Sequence, residues 1–101
     1  MENRQKVLQS LGLARRARRL VTGTDLVIDQ VRQGKACLVF CANDAGQSTR
    51  KKITDKCSSY NVTCSLEFSS AELSEAIGAK RSVIAVTDAG FARKFRQLLS
   101  L

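Results

Sequence analysis

Few side chains in this sequence are able to do chemistry. There is no His, so the commonest general base is missing. Asp44 and Asp88 each follow an apolar run. Two carboxylates at the ends of neighbouring strands could hold a metal ion or, more simply, cap the helices that come next. Cys37, Cys41, Cys57 and Cys64 are spaced C-x3-C and C-x6-C, which is not the paired C-x-x-C of a zinc site. They sit in apolar stretches, where a thiol's pKa rises and its nucleophilicity falls, and they read as reduced, mostly buried thiols. No G-x-G-x-x-G is present, and Gly34-Lys35 lacks the upstream glycine and the following Ser/Thr of a phosphate-binding P-loop. The expectation is no catalytic residue, no metal and no cofactor.

Cations are what the sequence has in abundance. Lys plus Arg number 17 against 9 Asp plus Glu, a net charge of +8. Residues 1–35 carry eight Lys/Arg against three acids, residues 36–72 four against four, and residues 73–101 five against two. If the two basic ends of the chain meet in space they form one basic surface, which attracts phosphate backbones by counterion release. The candidates are Arg15, Arg16, Arg18 and Arg19, the pair Lys80 and Arg81, and the helix-borne Arg93, Lys94 and Arg96. Arg50-Lys51-Lys52 opens a helix, where cations oppose the dipole; that local cost marks it as an anion contact to look for. Gly23-Thr24-Asp25 also precedes a helix and presents backbone N–H groups beside a polar side chain. For each helix-borne cluster the simplest alternative is a solvated face. For the turn it is a capped helix start.

The elements that must position these residues follow from hydrophobic periodicity. One hundred and one residues with 44% apolar content make one domain, residues 1–101, with one aliphatic core. Residues 3–18 predict a helix capped by Asn3, with Val7, Leu8, Leu11 and Ala14 inward. Residues 20–22 are a short extended piece. A second helix, capped by Thr24 or Asp25, turns Leu26, Val27, Ile28 and Val31 inward and stops at Gly34. Residues 36–42 and 83–87 are unbroken apolar runs, expected to be neighbouring central strands. Residues 48–59 predict a helix with Ile53 and Cys57 inward. Val62, Cys64, Leu66 and Phe68 alternate as one face of an edge strand. Ser70 is expected to cap a helix through Ile77, and Asp88 one from 89 to about 99. Alternation of this kind places helices on both faces of a sheet. No window of eighteen apolar residues occurs, and no apolar core follows the polar start Met1-Glu2-Asn3-Arg4-Gln5-Lys6, so a cytosolic protein is expected.

Several stretches fall in a recognisable order: Gly23-Thr24-Asp25 through Gly34, Asn43-Asp44-Ala45 after a buried strand, the helix end Glu72-Leu73-Ser74-Glu75-Ala76-Ile77-Gly78, and strand 83–87. Together they resemble the L-seven-Ae / L-thirty-e class of ribosomal proteins, which bind kink-turn RNA. Leu11-Gly12-Leu13-Ala14-Arg15-Arg16, Lys51-Lys52-Ile53-Thr54-Asp55-Lys56-Cys57 and Ala85-Val86-Thr87-Asp88-Ala89-Gly90-Phe91-Ala92 resemble its bacterial YlxQ-like branch. The resemblance runs from about residue 5 to 97. It implies an α/β protein: a three-layer α/β/α sandwich on a four-stranded mixed sheet. It also implies a non-enzymatic, cytoplasmic, monomeric RNA-binding protein of the ribosome and translation setting. The partner would be a structured ribosomal or messenger RNA, with translation or transcription factors as further partners.

In that class the loop opening the second helix reads paired guanines of the kink-turn through a Gly-x-Asn-Glu pattern, with a Lys three residues later. The loop before the last strand closes over an extruded nucleotide. Gly23 and Thr24 fit the pattern, but Asp25 stands at the Asn position, Leu26 at the Glu and Asp29 at the Lys. The class's acidic residue after Asp-Ala falls on Gly46. In the second loop Ala79 is small and Arg81 keeps a cation. The resemblance therefore implies RNA contacts at Arg16, Arg19, Gly23, Thr24, Asp25, Leu26, Ala79, Lys80 and Arg81. The substitutions at Leu26 and Asp29 remove guanine contacts. They leave a second expectation open, a protein–protein module that kept the fold and lost the kink-turn site.

Overall fold

The computed structural model describes residues 2–101. Helices and strands alternate along the chain: α1 (Glu2–Arg16), β1 (Leu20–Thr22), α2 (Thr24–Arg32), β2 (Leu38–Cys41), α3 (Gln47–Ser59), β3 (Cys64–Ser65), α4 (Ser70–Ile77), β4 (Val83–Val86) and α5 (Ala89–Leu99). The sheet order is β1-β4-β2-β3. β4 pairs antiparallel with both β1 and β2, and β3 runs parallel to β2. The two apolar runs are the central pair, as their composition requires.

Every residue of β2 and β4 is buried, and the period of two divides them between two layers. Leu38, Phe40, Ile84 and Val86 face one side, where they meet Val7 and Leu11 of α1, Leu73 and Ile77 of α4, and Phe95 of α5. Val39, Cys41, Val83 and Ala85 face the other, against Val27, Ile28 and Val31 of α2 and Ile53 and Cys57 of α3. The register Phe40↔Ile84 and Val39↔Ala85 keeps each layer's residues opposite one another. The result is a three-layer α/β/α sandwich on a mixed sheet. Four free thiols lie in it, Cys41 and Cys57 buried, Cys37 and Cys64 half-buried. Burial pushes the Cys41 thiol up, and the neighbouring Cys57 thiol, then burial, push Cys64 up.

Several local expectations are corrected. Asn3 lies inside α1 rather than capping it, and α1 ends at Arg16, not at residue 18. Arg18 reverses the chain at φ 59°, with Arg19 N–H donating to Ala14 O at 2.9 Å. Neither Thr24 nor Asp25 caps α2; the cap is Gly23, with no side-chain bond. Leu26 is 60% exposed, because the buried stripe runs through Val27, Ile28 and Val31, and Leu26 sits beside it. Ser69, not Ser70, caps α4, in a reciprocal capping box with Glu72.

The expected edge strand shrinks to Cys64–Ser65, and its alternation fails: Ser65 is buried and Leu66 exposed. Val62 and Cys64 pack in the α2–α3 layer, whereas Phe68 must cross to the α1–α4–α5 layer. The strand breaks where that crossing begins.

The crossing is pinned by charge. Arg4 donates to Glu67 Oε2 at 3.0 Å and Glu72 Oε2 at 3.1 Å, with its guanidinium 4.8 Å from the Phe68 ring centroid. Asp44 reaches across the loop to α4 rather than capping its own α3, accepting from Ser70 N–H at 2.8 Å. The Arg4 hydrogen bond, then the Ser69 N–H, hold the Glu72 carboxyl below its ordinary pKa; the Ser70 N–H does the same for Asp44. A depressed folded-state pKa contributes stability above the unfolded value, which is lost as pH falls through the folded one. Stability should therefore be flat above about pH 5 and fall below about pH 4. Glu72→Gln should lower the melting midpoint at pH 7 by a few degrees and flatten that acid limb, as read by thermal melts from pH 2 to pH 7.

Candidate nucleic-acid interface

The antiparallel β1–β4 pairing brings together two loops 60 residues apart in sequence. Past Thr22 the ladder continues by one bond, Gly23 N–H to Val83 O at 3.0 Å. Gly23 holds φ 97° and ψ 144°, a conformation that L side chains rarely adopt, and from it α2 starts at once. Residues 79–82 enter β4 at the same end of the sheet. This second loop is fastened to α4: Arg81 N–H donates to Ser74 Oγ at 3.0 Å, and that hydroxyl donates back to Arg81 O at 3.0 Å. A side-chain bond closes the junction, Arg81 Nε to Thr22 Oγ1 at 3.2 Å. Arg81 Nη1 also bonds Lys80 O at 2.7 Å, holding the guanidinium over its own loop.

Between the loops lies an open depression of about 440 Å³ lined by Gly23, Thr24, Ser70, Ser74, Lys80 and Arg81. Its walls offer hydroxyl groups and two cations. Four of the residues expected at an RNA site thus share one concavity. Ala79 lies beside it, half-buried and packed against the α1–α4–α5 core. Asp25 stands on the rim, its carboxylate 3.8 Å from Lys52 Nζ. Leu26 follows it in the first turn of α2, an apolar side chain in water.

Arg16 and Arg19 are not brought there. Arg16 lines a separate groove between α1 and α4 with Leu13 and Glu75. Arg19 sits at the far end of β1, where its carbonyl accepts from Thr87 N–H at 2.9 Å and Thr87 Oγ1 at 3.0 Å. Asp44 and Asp88 are also separated. β2 and β4 are antiparallel, so their C-termini lie at opposite ends of the sheet and the two carboxylates cannot share an ion. Asp88 caps α5, accepting from Phe91 N–H at 2.8 Å. Among the described residues no cluster of three His, Cys, Asp or Glu could hold a metal ion.

The structure brings further residues to the same end of the sheet. Arg50 turns back to donate to Ala45 O at 3.0 Å, and Ala45 also borders the depression. With Lys52 it brings the start of α3 to the same end of the molecule. The visible signal for these two was the cationic run at a helix N-terminus. Nothing in the sequence pointed to Ser74, whose role is to hold the Arg81 backbone.

Residues 5–96 match the model of the Ribosomal protein L7Ae/L30e/S12e/Gadd45 family, and the chain belongs to that family. It is similar to an RNA-binding protein YlxQ of Enterococcus faecium, 47% identical over 97 residues, which span 96% of this chain and 94% of that one. It is also similar to an RNA-binding protein YlxQ of Bacillus subtilis strain 168, 50% identical over 90 residues, or 88% and 90% of the two chains. Among solved structures, a protein of unknown function from Bacillus halodurans C superimposes with a TM-score of 0.90 at 44% identity, covering 95% of this chain and 98% of that one. A Giardia lamblia 15.5kD RNA binding protein shares the fold, with a TM-score of 0.81 at 18% identity over 99% and 87% of the chains.

Two helix-capping glycines at this end of the sheet are under different constraints. Gly23 has φ 97°, whereas Gly46 has φ −55° and open space at its missing Cβ. Gly23→Ala should cost about 1–3 kcal/mol of stability, and Gly46→Ala should be nearly neutral. Paired denaturant titrations check this directly.

Proposed function

We propose that the chain is a cytoplasmic, non-enzymatic, monomeric RNA-binding protein of the translation machinery, which holds a structured RNA of the kink-turn type between residues 22–26 and 79–82. The observation that carries this reading is the junction of Thr22–Gly23 with Lys80–Arg81 around one concavity. The RNA-binding names of the similar YlxQ proteins support it. So does the basic charge. Among the described residues no helix is long and apolar enough to cross a membrane.

Recognition divides between the two loops. Lys80, Arg81 and Arg50 attract the phosphate backbone and fix its position. The depression receives an unstacked nucleotide, whose edges meet Thr24, Ser70 and Ser74. Base reading at the start of α2 is weak, because Leu26 has no hydrogen-bonding group and Asp25 is drawn toward Lys52. Shape and charge therefore carry more of the specificity than guanine edges do. The exposure of Leu26 is the one observation that favours the alternative of a protein partner on this rim.

A labelled kink-turn hairpin and a straight duplex of equal length, titrated at low and near-physiological salt, test the reading. The kink-turn should bind more tightly, with a log–log salt slope of about −2 to −3 for three neutralised phosphates. Lys80→Glu with Arg81→Glu should weaken binding at least tenfold and make the slope shallower by about 2. Unchanged affinity in that variant places the site elsewhere. Leu26→Glu with Asp29→Lys should raise the preference for the kink-turn about tenfold, within the ~1–3 kcal/mol of a bidentate base contact.

A further inference from the structure

The opposite end of the sheet carries a second cationic surface. There Leu20, Val86 and Cys37 lie side by side, through the pairing Leu20↔Val86 and the bond Cys37 N–H to Val86 O at 2.8 Å. Arg96 crosses from α5 to donate to Cys37 O at 2.6 Å. The chain leaves α2 at this end through Gly34-Lys35-Ala36 and enters β3 through Tyr60-Asn61. A depression of about 360 Å³ lies between these segments, lined by Gly34, Ala36, Tyr60, Asn61, Ala89 and Arg96. That volume is within the range of small-molecule sites. Lys35 is exposed between two of the lining residues. Arg93 is exposed one turn from both Ala89 and Arg96, on the same face of α5. Arg19 stands at the adjoining end of β1.

Two features suit this surface to an anionic, aromatic ligand. Among the described residues, none of Arg19, Lys35, Arg93 and Arg96 makes an ion pair; the pairs formed involve Arg4, Lys51 and Lys52. Asp88, the carboxylate at this end of β4, is engaged as the cap of α5. The C-terminus of α2 eases the accumulation of cations without neutralising them. The second feature is Tyr60, the chain's one tyrosine, which is 48% exposed beside them. A phenol ring and a guanidinium flanking a shallow depression, ringed by unpaired cations, form the combination on which unpaired bases stack while their phosphates are neutralised.

We propose that this end is a second RNA contact, which takes an unpaired segment flanking the structured RNA held at the other end. It rests on the reading of the chain as an RNA-binding protein, and it makes that protein bivalent for one RNA. β4 spans only about 13 Å between the two ends at ~3.3 Å per residue, so one RNA reaches both by following an edge of the sheet. Binding at one end then raises the effective concentration of RNA at the other.

Three probes separate the two contacts: the kink-turn hairpin alone, the same hairpin with a ten-nucleotide single-stranded uridine tail, and the free ten-nucleotide oligouridine. With the unmodified protein the tail should tighten binding about tenfold, and the free oligouridine should bind weakly and salt-dependently. Lys35→Glu with Arg93→Glu should abolish the gain from the tail while leaving the bare hairpin's affinity unchanged. Tyr60→Ala should remove most of that gain, and Tyr60→Phe should retain it, because stacking needs the ring and not the hydroxyl. Lys80→Glu with Arg81→Glu should show the reverse pattern, losing the hairpin and keeping the oligouridine. If the tail adds nothing, or its gain survives Lys35→Glu with Arg93→Glu, the second contact is wrong whatever the hairpin does. If the hairpin fails while the oligouridine still binds through Lys35, Arg93 and Tyr60, the proposed kink-turn site fails and this one stands.

Discussion

The hydrogen bond from Gly23 N–H to Val83 O, one step beyond the last β1 residue, joins the start of α2 to the start of β4. The backbone that makes it must turn into a helix without another residue of extended chain. A φ of 97° is the solution, and only glycine adopts it without strain. The Arg81–Thr22 bond and the Ser74 clasp then act on a junction already fixed by the ladder. Because β1, a strand of three residues, pairs with the buried β4, this edge of the sheet is held by the interior and not by its own length. Loops on such a frame are pre-ordered, which reduces the entropy lost when a ligand orders them further.

The same topology explains the division of charge. β2 and β4 are both central and buried, yet they run in opposite directions. Each end of the sheet therefore receives the C-terminus of one central strand and the N-terminus of the other. Lys80, Arg81 and Arg50 gather at one end, Arg19, Lys35 and Arg96 at the other. The first surface thus joins Lys80 and Arg81 to Arg50 of the neutral middle segment, while at the other Arg19 and Lys35 from the basic start of the sequence meet Arg96 from its basic end. At the first, the cations also bond the backbone carbonyls that shape the loop: Arg81 to Lys80 O and Arg50 to Ala45 O. Guanidiniums held in this way present their remaining N–H groups in a fixed direction.

The layers and the central strand pair were legible in the sequence because two apolar runs of this length need cover on both faces; which outer strand joins which central one was not. Gly34 and Asp88 end and begin helices where their types indicate. The paired loops were legible only through the family resemblance, since nothing local says that residue 22 meets residue 81. Other features depend on tertiary contact and left no local trace. Phe68 belongs to a different layer from Val62 and Cys64, and no periodicity announces that crossing. Asp44 prefers the N–H of Ser70, 26 residues away, over its own helix. The cap of α4, by contrast, was legible locally: of two adjacent serines only Ser69 stands three residues before Glu72, the S-x-x-E spacing whose carboxylate closes the box. Leu26 was misplaced for a simpler reason: four apolar residues in six overfill the stripe of a short helix, and the stripe centred on Val27 and Val31 leaves Leu26 outside.

The ends of two loops, joined by β1–β4 pairing, form the surface proposed to meet structured RNA. Backbone amide shifts recorded by NMR during titration with a kink-turn hairpin test it most directly, since they need no substitution. The largest changes are expected at Gly23, Thr24, Lys80, Arg81 and Ser82, with the groove between α1 and α4 unaffected. Changes centred on that groove, with Gly23 and Arg81 unmoved, would contradict it.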